Sequence, residues 1–201
     1  MHTLYPWQLT LLSNPPSRGL ILAPRQAGKT EFAVRLAVQV AKSEPGENIL
    51  IVSSNQSTTA QFKQRLFDQP IDAVPSLPGI VELSNGSRIY CTPDDVISPD
   101  RLTELKQVRL AIFDEAARCF DELMNPIIFL ANLSPRGQVI ALTTPAERQG
   151  WFWREWNASD WNWIKSNIKP HMCPNLTPGF LAHLRKELST EQYAREIECQ
   201  I

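Results

Sequence analysis

The sequence predicts an α/β fold, with a mainly parallel sheet between helices, followed by a small C-terminal lid subdomain. Two observations predict it. Short apolar runs, typical of buried strands, alternate with amphipathic stretches up to about residue 150. Beyond that point the composition becomes tryptophan-rich and then polar. We therefore divide the 201 residues into a core, residues 1–150, and a lid, residues 151–201.

The core elements follow from periodicity and turn signals. The apolar runs predict strands at residues 19–23, 48–53, 110–113 and 138–143. Phe32, Leu36 and Val40 recur at a spacing of four and predict a helix over residues 28–42. Asn85-Gly86 between two alternating runs predicts a hairpin at residues 80–91. Further helical or apolar segments are predicted at residues 58–67, 116–120, 127–133, 178–187 and 190–198.

Composition excludes several classes of protein. Twenty Lys and Arg residues against 21 Asp and Glu give a net charge of −1, so any nucleic-acid binding must use a local patch. The four cysteines form no C-x-x-C pair, which argues against a zinc ribbon or a disulfide framework. No secretory signal and no apolar stretch of about 20 residues is visible, which predicts a cytoplasmic protein with no membrane partner.

The most informative motif is APRQAGKT at residues 23–30, between a predicted strand and a predicted helix. A phosphate-binding loop needs inward-facing backbone N–H groups, a helix N-terminus, a lysine and a hydroxyl group. Gly28, Lys29 and Thr30 supply the last three positions of the motif, whereas Ala23 replaces its usual first glycine. We expect Lys29 to bind the outer phosphates of ATP and Thr30 to bind Mg²⁺.

A pair of carboxylates follows the predicted strand at residues 110–113. Ligands of open α/β sheets bind at the carboxyl ends of strands. We therefore expect Asp114 to hold Mg²⁺, through water or with Thr30, and Glu115 to polarise the attacking water. Thr143 and Thr144 end another strand, and their hydroxyl groups are suited to bind the γ-phosphate or the attacking water. Together these residues predict an ATPase.

Five of the six tryptophans lie between residues 151 and 163. They are compatible with base stacking on single-stranded DNA, or with aromatic anchors that pack the lid on the core. We favour aromatic anchors, because the acidic residues Glu155 and Asp160 accompany the basic residues Arg154 and Lys165 and would repel a DNA strand.

The order of these motifs resembles the ATPase domain of a phage terminase large subunit, the motor that packages viral DNA. YPWQ at residues 5–8 is similar to the adenine-recognition element of that family, and Arg25-Gln26 to its variant of the phosphate loop. LTTP at residues 142–145 resembles its coupling motif. The resemblance implies a RecA-like P-loop fold and a nucleotide site that includes Gln8, Arg25, Gln26, Ala27, Gly28, Lys29, Thr30, Asp114, Thr143 and Thr144. Lys29, Arg25 and Glu115 would then act in catalysis.

The resemblance also implies partners: double-stranded DNA, other copies of the chain in a homo-oligomeric ring, a portal, a small terminase subunit and a nuclease domain or partner protein. Arg101 occupies roughly the position of an arginine that acts across subunits in the family, although Leu102 follows it where the family often has glycine. The chain ends about where the family's ATPase domain ends, which predicts no nuclease activity. A helicase-like ATPase and a nucleotide-gated assembly module remain as alternatives.

Overall fold

The computed structural model describes residues 3–74, 76, 79–97, 102, 105, 107–159 and 162–200. In chain order its helices and strands are α1 Pro6–Ser13, β1 Arg18–Leu22, α2 Lys29–Ser43, β2 Asn48–Ser53, α3 Gln56–Phe67, β3 Ala73–Val74, β4 Ile80–Leu83, β5 Arg88–Pro93, β6 Leu110–Asp114, α4 Asp121–Asn132, β7 Gln138–Thr143, α5 Gly150–Asn157, β8 Ile164–Asn167, α6 Pro178–Glu187 and α7 Thr190–Glu196. Two 3₁₀ turns lie at Ala116–Arg118 and Pro170–Met172.

All eight strands belong to one sheet, in the order β3-β4-β5-β2-β6-β7-β1-β8. In this order, each pair of neighbouring strands from β5 through β2, β6, β7 and β1 to β8 is parallel. The hairpin strand β4 pairs antiparallel with β3 and with β5 at one side of the sheet. The predicted α/β class with a mainly parallel sheet is confirmed.

The register of the parallel strands decides where the polar residues meet. Strand β7 lies between β1 and β6, with Thr143 opposite Leu22 and Leu142 opposite Asp114. On the other side of β6, Ser53 of β2 stands opposite Asp114. Since these strands are parallel, their carboxyl ends share one edge of the sheet. The segments that follow β1, β6 and β7 therefore meet there.

The sheet is buried on both faces, because successive side chains of a strand point to opposite faces. Ile21 belongs to an apolar cluster that includes residues of α1, α2 and α3. Its neighbours Leu20 and Leu22 belong to a second cluster, which includes residues of α4 and α5. This double burial explains why the strands read as continuous apolar runs rather than alternating ones.

The tryptophan-rich segment packs directly onto the sheet. Trp151 and Trp163 are buried in the second cluster and make a T-shaped contact with ring centroids 5.3 Å apart. Strand β8 follows Trp163 and pairs with β1, so residues beyond 150 extend the central sheet. Trp161 lies outside the described residues. The division at residue 150 stays a prediction.

Two segments differ from the sequence prediction. A short 3₁₀ turn, Ala116–Arg118, replaces the helix predicted at residues 116–120, because Cys119 and Phe120 adopt extended backbone conformations. Helix α4 then begins at Asp121 and absorbs the apolar segment predicted at residues 127–133. The sequence prediction also contains no counterpart of helix α1, strand β3 or strand β8. Among the described residues, no helix combines the length and apolarity needed to cross a bilayer.

We predict that Gly137→Ala destabilises the fold. A Cβ atom at this position, between α4 and β7, would stand 1.7 Å from the carbonyl oxygen of Ala131. Because the obstacle is backbone, the loop must move, and we expect the free energy of unfolding to fall by about 2 kcal/mol or more. Urea denaturation measures the change.

Gly179→Ala is the matched control, because a Cβ at Gly179 in helix α6 meets no atom within 4 Å. We expect this variant to gain up to about 1 kcal/mol from helix propensity. An equal loss in both variants would show that the close approach at Gly137 has no consequence.

Candidate active site

The segment between β1 and α2 has the backbone conformation of an anion-binding loop. Gly28 caps α2 with a left-handed φ of 83°, and Gln26 has a φ of 62°. A Cβ atom at Gly28 would also come within 2.7 Å of Nε2 of Gln8, so glycine is required for space as well as for conformation. Ala23 is not among the residues with positive φ. An alanine therefore fits at the position where the motif usually has glycine.

Lys29 begins α2, and its buried ammonium group joins three segments of the chain. Nζ lies 2.6 Å from Oγ1 of Thr144. It lies 3.3 Å from Oε1 of Glu115 and 3.3 Å from the carbonyl oxygen of Pro24. The lysine side chain is 7% exposed, so an unpaired charge there would be costly. These three acceptors occupy its three donor positions.

Asp114 ends β6 and is buried. Its Oδ2 accepts a hydrogen bond of 3.3 Å from the hydroxyl group of Thr30, whereas its buried Oδ1 has no hydrogen-bond partner. Burial, and then the adjacent charge of Glu115, raise the pKa of Asp114 to about 6 against the lowering effects of Lys29 and Thr30. A buried carboxylate oxygen that lacks a partner requires a cation or a donor from outside the chain.

Glu115 adopts a left-handed conformation with φ 59° and ψ 47°, which is unusual for a residue with a side chain. Its Oε2 accepts from Nη1 of Arg118 at 2.7 Å and from the backbone N–H of Thr144 at 3.2 Å. The hydroxyl of Thr143 lies 3.3 Å from the same oxygen, although its nearest acceptor is the carbonyl of Thr144 at 2.8 Å. Glu115, Thr143 and Thr144 therefore form one connected polar cluster.

Gln8 and Arg25 are attached to the loop, each in a different way. The buried amide of Gln8 accepts from the backbone N–H of Tyr5 at 2.6 Å and donates to the carbonyl of Gly28 at 2.8 Å. The exposed guanidinium of Arg25 pairs with Glu196 at 3.4 Å, and its backbone N–H donates to the carbonyl of the same residue at 2.9 Å. Both residues line the cleft beside the loop.

That cleft has a volume of about 460 Å³. It is lined by Thr3, Tyr5, Gln8, Arg25, Gln26, Ala27, Gly28, Lys29, Thr30, Glu31, Arg65, Glu115 and Asn175. A larger cleft of about 560 Å³ between α2 and α3 shares Glu31 and Arg65 but has no residue of the phosphate loop. We assign the site to the smaller cleft because the chemistry lies there.

Eight predicted site residues line this cleft, while the other three, Asp114, Thr143 and Thr144, lie behind it in contact with Thr30, Lys29 and Glu115. Arg101 lies outside the described residues. The sequence prediction missed Arg118 and Asn175. Arg118 could have been found from its spacing of three after Glu115, which places the two side chains together in a helical turn. No local signal marks Asn175.

The sequence and the fold of this chain are similar to those of proteins from a known family. The profile described as "Terminase large subunit, T4likevirus-type, N-terminal" matches residues 20–201. The large terminase ATPase domain of Thermus phage P74-26 has a TM-score of 0.74 at 15% identity, over 98% of this chain and 93% of that chain. No curated protein sequence matches significantly.

Two longer structures share the fold. The large terminase of a thermophilic bacteriophage, in complex with ATP-γ-S, has a TM-score of 0.76 at 14% identity, over 97% of this chain and 52% of that chain. The large terminase of bacteriophage HK97 has a TM-score of 0.76 at 14% identity, over 98% of this chain and 50% of that chain. This chain spans about half of their length. The predicted RecA-like fold is confirmed.

We predict that Asp114→Asn stabilises the protein at alkaline pH. Because the folded chain raises the pKa of Asp114 from 3.8 to about 6, the folded state holds the proton more tightly than the unfolded state. Stability is therefore lost as the pH rises through this interval and stays lower above it. In metal-free buffer at pH 8, we expect the variant to gain up to about 3 kcal/mol in the free energy of unfolding.

At pH 3, below the unfolded-state pKa of 3.8, the two proteins should unfold with nearly equal free energies, because Asp114 is then mostly protonated in both states. Denaturation at a series of pH values measures the difference, and Asp68→Asn, at an exposed position, is the control. A gain that is the same at pH 3 and pH 8 would contradict the assignment.

Proposed function

We propose, because this chain belongs to the terminase large subunit family, that it hydrolyses ATP and uses the cycle to move double-stranded DNA during viral packaging. The observation that carries the proposal is the convergence of Lys29, Glu115 and Thr144 beside the phosphate loop, within 3.5 Å of one another. A binding site for phosphate and a candidate general base thereby meet at one edge of the sheet.

The phosphates of ATP would bind at the first turn of α2. The N–H groups of Lys29 and Thr30 begin this helix and have no partner within it, as at any helix N-terminus. Lys29 would exchange its contacts with Glu115 and Thr144 for oxygens of the β- and γ-phosphates. Gln8 would hold the loop against α1 through Gly28, and its remaining amide N–H is available to the adenine.

The residues present fit a magnesium ion. Mg²⁺ is usually held by one or two protein oxygens together with phosphates and water. Asp114 offers a buried Oδ1 that has no partner, and Thr30 offers a hydroxyl group next to its Oδ2. The described residues contain no cluster of three or more His, Cys, Asp or Glu side chains able to hold a metal. When bound, the ion would neutralise charge on the β- and γ-phosphates.

Glu115 would act as the general base towards the attacking water. In the structure its carboxylate contacts Lys29 and Arg118. Once Lys29 turns to the phosphates, Oε1 becomes free to accept a proton from water. Thr143 and Thr144 contact this carboxylate from the end of β7. They would therefore sense whether the γ-phosphate and the water are in place, and Pro145 immediately afterwards stiffens the exit of the strand.

Lys29→Ala and Glu115→Gln should each lower steady-state MgATP turnover by roughly 100-fold or more, the contribution of a preorganised charge for Lys29 and of a positioned base for Glu115. Lys29→Ala should also weaken nucleotide binding, whereas Glu115→Gln should leave binding largely intact. Phosphate release assays measure turnover, and Lys42→Ala, in the last turn of the same helix, is the control. Unchanged turnover in both site variants would mean that the site is misassigned.

The motor function adds partners. We propose that several copies form a ring around double-stranded DNA in the host cytoplasm, with a portal, a small terminase subunit and a nuclease domain or partner protein. An arginine from a neighbouring copy, for which Arg101 is the candidate, would supply a cation that stabilises the charge developing on the transferring phosphoryl group. We propose a core at residues 1–150 and a lid at residues 151–201, although the sheet continues into the lid through β8.

A second candidate is a nucleotide-gated assembly module, in which binding of ATP matters more than its turnover. The ion pairs of Glu115 with Lys29 and Arg118 favour it, because a carboxylate whose oxygens are engaged by two cations is not free to activate water.

Measuring the ATPase rate per chain against protein concentration, with and without linear duplex DNA, separates the two candidates. For a ring motor we expect the rate per chain to rise steeply with concentration, because the site is completed by a neighbour. Linear duplex DNA should raise the rate per chain further. Binding of ATP without turnover under every condition would support the gated module instead.

A further inference from the structure

The phosphate loop is held from outside by the C-terminal part of the chain. The side-chain amide of Asn175, between the turn Pro170–Met172 and helix α6, donates a hydrogen bond of 2.9 Å from Nδ2 to the carbonyl oxygen of Gln26. The backbone N–H of Arg25 donates to the carbonyl of Glu196, at the end of α7. Two peptide groups of the loop are therefore bound to residues about 150 to 170 positions away.

The contact of Asn175 falls where the loop is most strained. Gln26 has a left-handed φ of 62°, a conformation that costs roughly 1–2 kcal/mol for a residue with a side chain. The peptide group that follows it is fixed on both sides. Its N–H, on Ala27, donates to the carbonyl of Pro24 at 3.2 Å, and its C=O, on Gln26, accepts from Asn175. The amide of Asn175 thus opposes relaxation of Gln26 to an ordinary conformation.

We propose that Asn175 is a positioning residue of the nucleotide site: it holds the phosphate loop in the open shape that accepts phosphate before the nucleotide arrives. The inference rests on the proposed function, since it names a further residue of the same site.

The chemistry of the contact explains why an amide is needed. A backbone carbonyl is an acceptor, so its partner must donate, and the side-chain nitrogen of Asn175 is therefore turned towards Gln26. Asn175 is exposed, and among the described residues its side chain makes no other hydrogen bond. Removing its amide group leaves the packed core untouched, so an effect on nucleotide binding would come from the loop.

Thermodynamic linkage adds a second consequence. If the Asn175 contact favours nucleotide binding by some factor, the bound nucleotide must stabilise that contact by the same factor. Nucleotide binding would therefore order the segment around Asn175. The occupancy of the loop is in this way reported to the C-terminal helices.

The test uses the full chain and compares Asn175→Ala with Asn175→Gln, which keeps the donor, and with Asn157→Ala. Asn157 is the matched control, because its amide also donates to a backbone carbonyl, that of Trp153 at 2.8 Å, on an exposed surface remote from the cleft. We expect the Kd for ATP-γ-S to rise roughly five- to tenfold in Asn175→Ala, the worth of one hydrogen bond. KM should rise more than kcat falls, Asn175→Gln should recover much of the loss, and Asn157→Ala should bind normally.

Hydrogen exchange of the nucleotide-free protein distinguishes positioning from direct contact with the ligand. Asn175→Ala should accelerate exchange in a peptide that covers residues 24–30, and ATP-γ-S should protect residues 173–176 less than in the unchanged chain. An unchanged Kd overturns the proposal. So does a weaker Kd with unchanged loop exchange, because Asn175 would then touch the ligand itself. If the unchanged chain itself binds no ATP-γ-S, the proposed function fails. This result does not depend on the Asn175 variants, so it is distinct from a failure of the proposal about Asn175.

Discussion

The ammonium group of Lys29 is the interaction on which the candidate site depends. It is buried at the junction of three segments, and each of them contributes an acceptor: Pro24 from the phosphate loop, Glu115 after β6 and Thr144 after β7. A buried charge must be compensated, so the positions of the three segments are coupled. Replacement of these acceptors by phosphate oxygens would release Glu115 and Thr144 at the same time. These shared contacts mean that phosphate binding, as proposed, would change several of them at once.

The strained backbone of Glu115 is the second constraint. Its left-handed conformation turns the chain sharply out of β6, so that two successive carboxylates serve different partners. Asp114 remains buried beside Thr30, whereas Glu115 reaches Thr144 and Arg118. Strain of this kind persists where the surrounding contacts hold it, and here five donors surround one carboxylate. Two adjacent residues of the same chemical type thereby acquire separate roles.

Local sequence patterns predicted the central strands of the sheet and the residues that the structure brings together at the candidate site, because both are encoded within short segments. The strand, loop and helix around Lys29 are contiguous, as are the strand and carboxylates that end at Glu115. The role of Gln8 in reading adenine stays a prediction, since the structure shows its amide bound to Tyr5 and Gly28. Asn175 could not have been found in this way. Its partner lies 149 residues earlier, and an exposed asparagine in a polar segment leaves no periodic signal.

Strand β8 has a consequence for how force would travel through the molecule. It lies parallel to β1, with Gly19 opposite Ile164 and Leu22 opposite Asn167. A pull on the chain beyond β8, directed along the strand, would load the hydrogen bonds of this pair together, in shear, rather than opening them one after another. The strand that receives this load leads directly into the phosphate loop. A load applied at the C-terminal part of the chain would thus reach the phosphate loop through the pairing of β8 with β1.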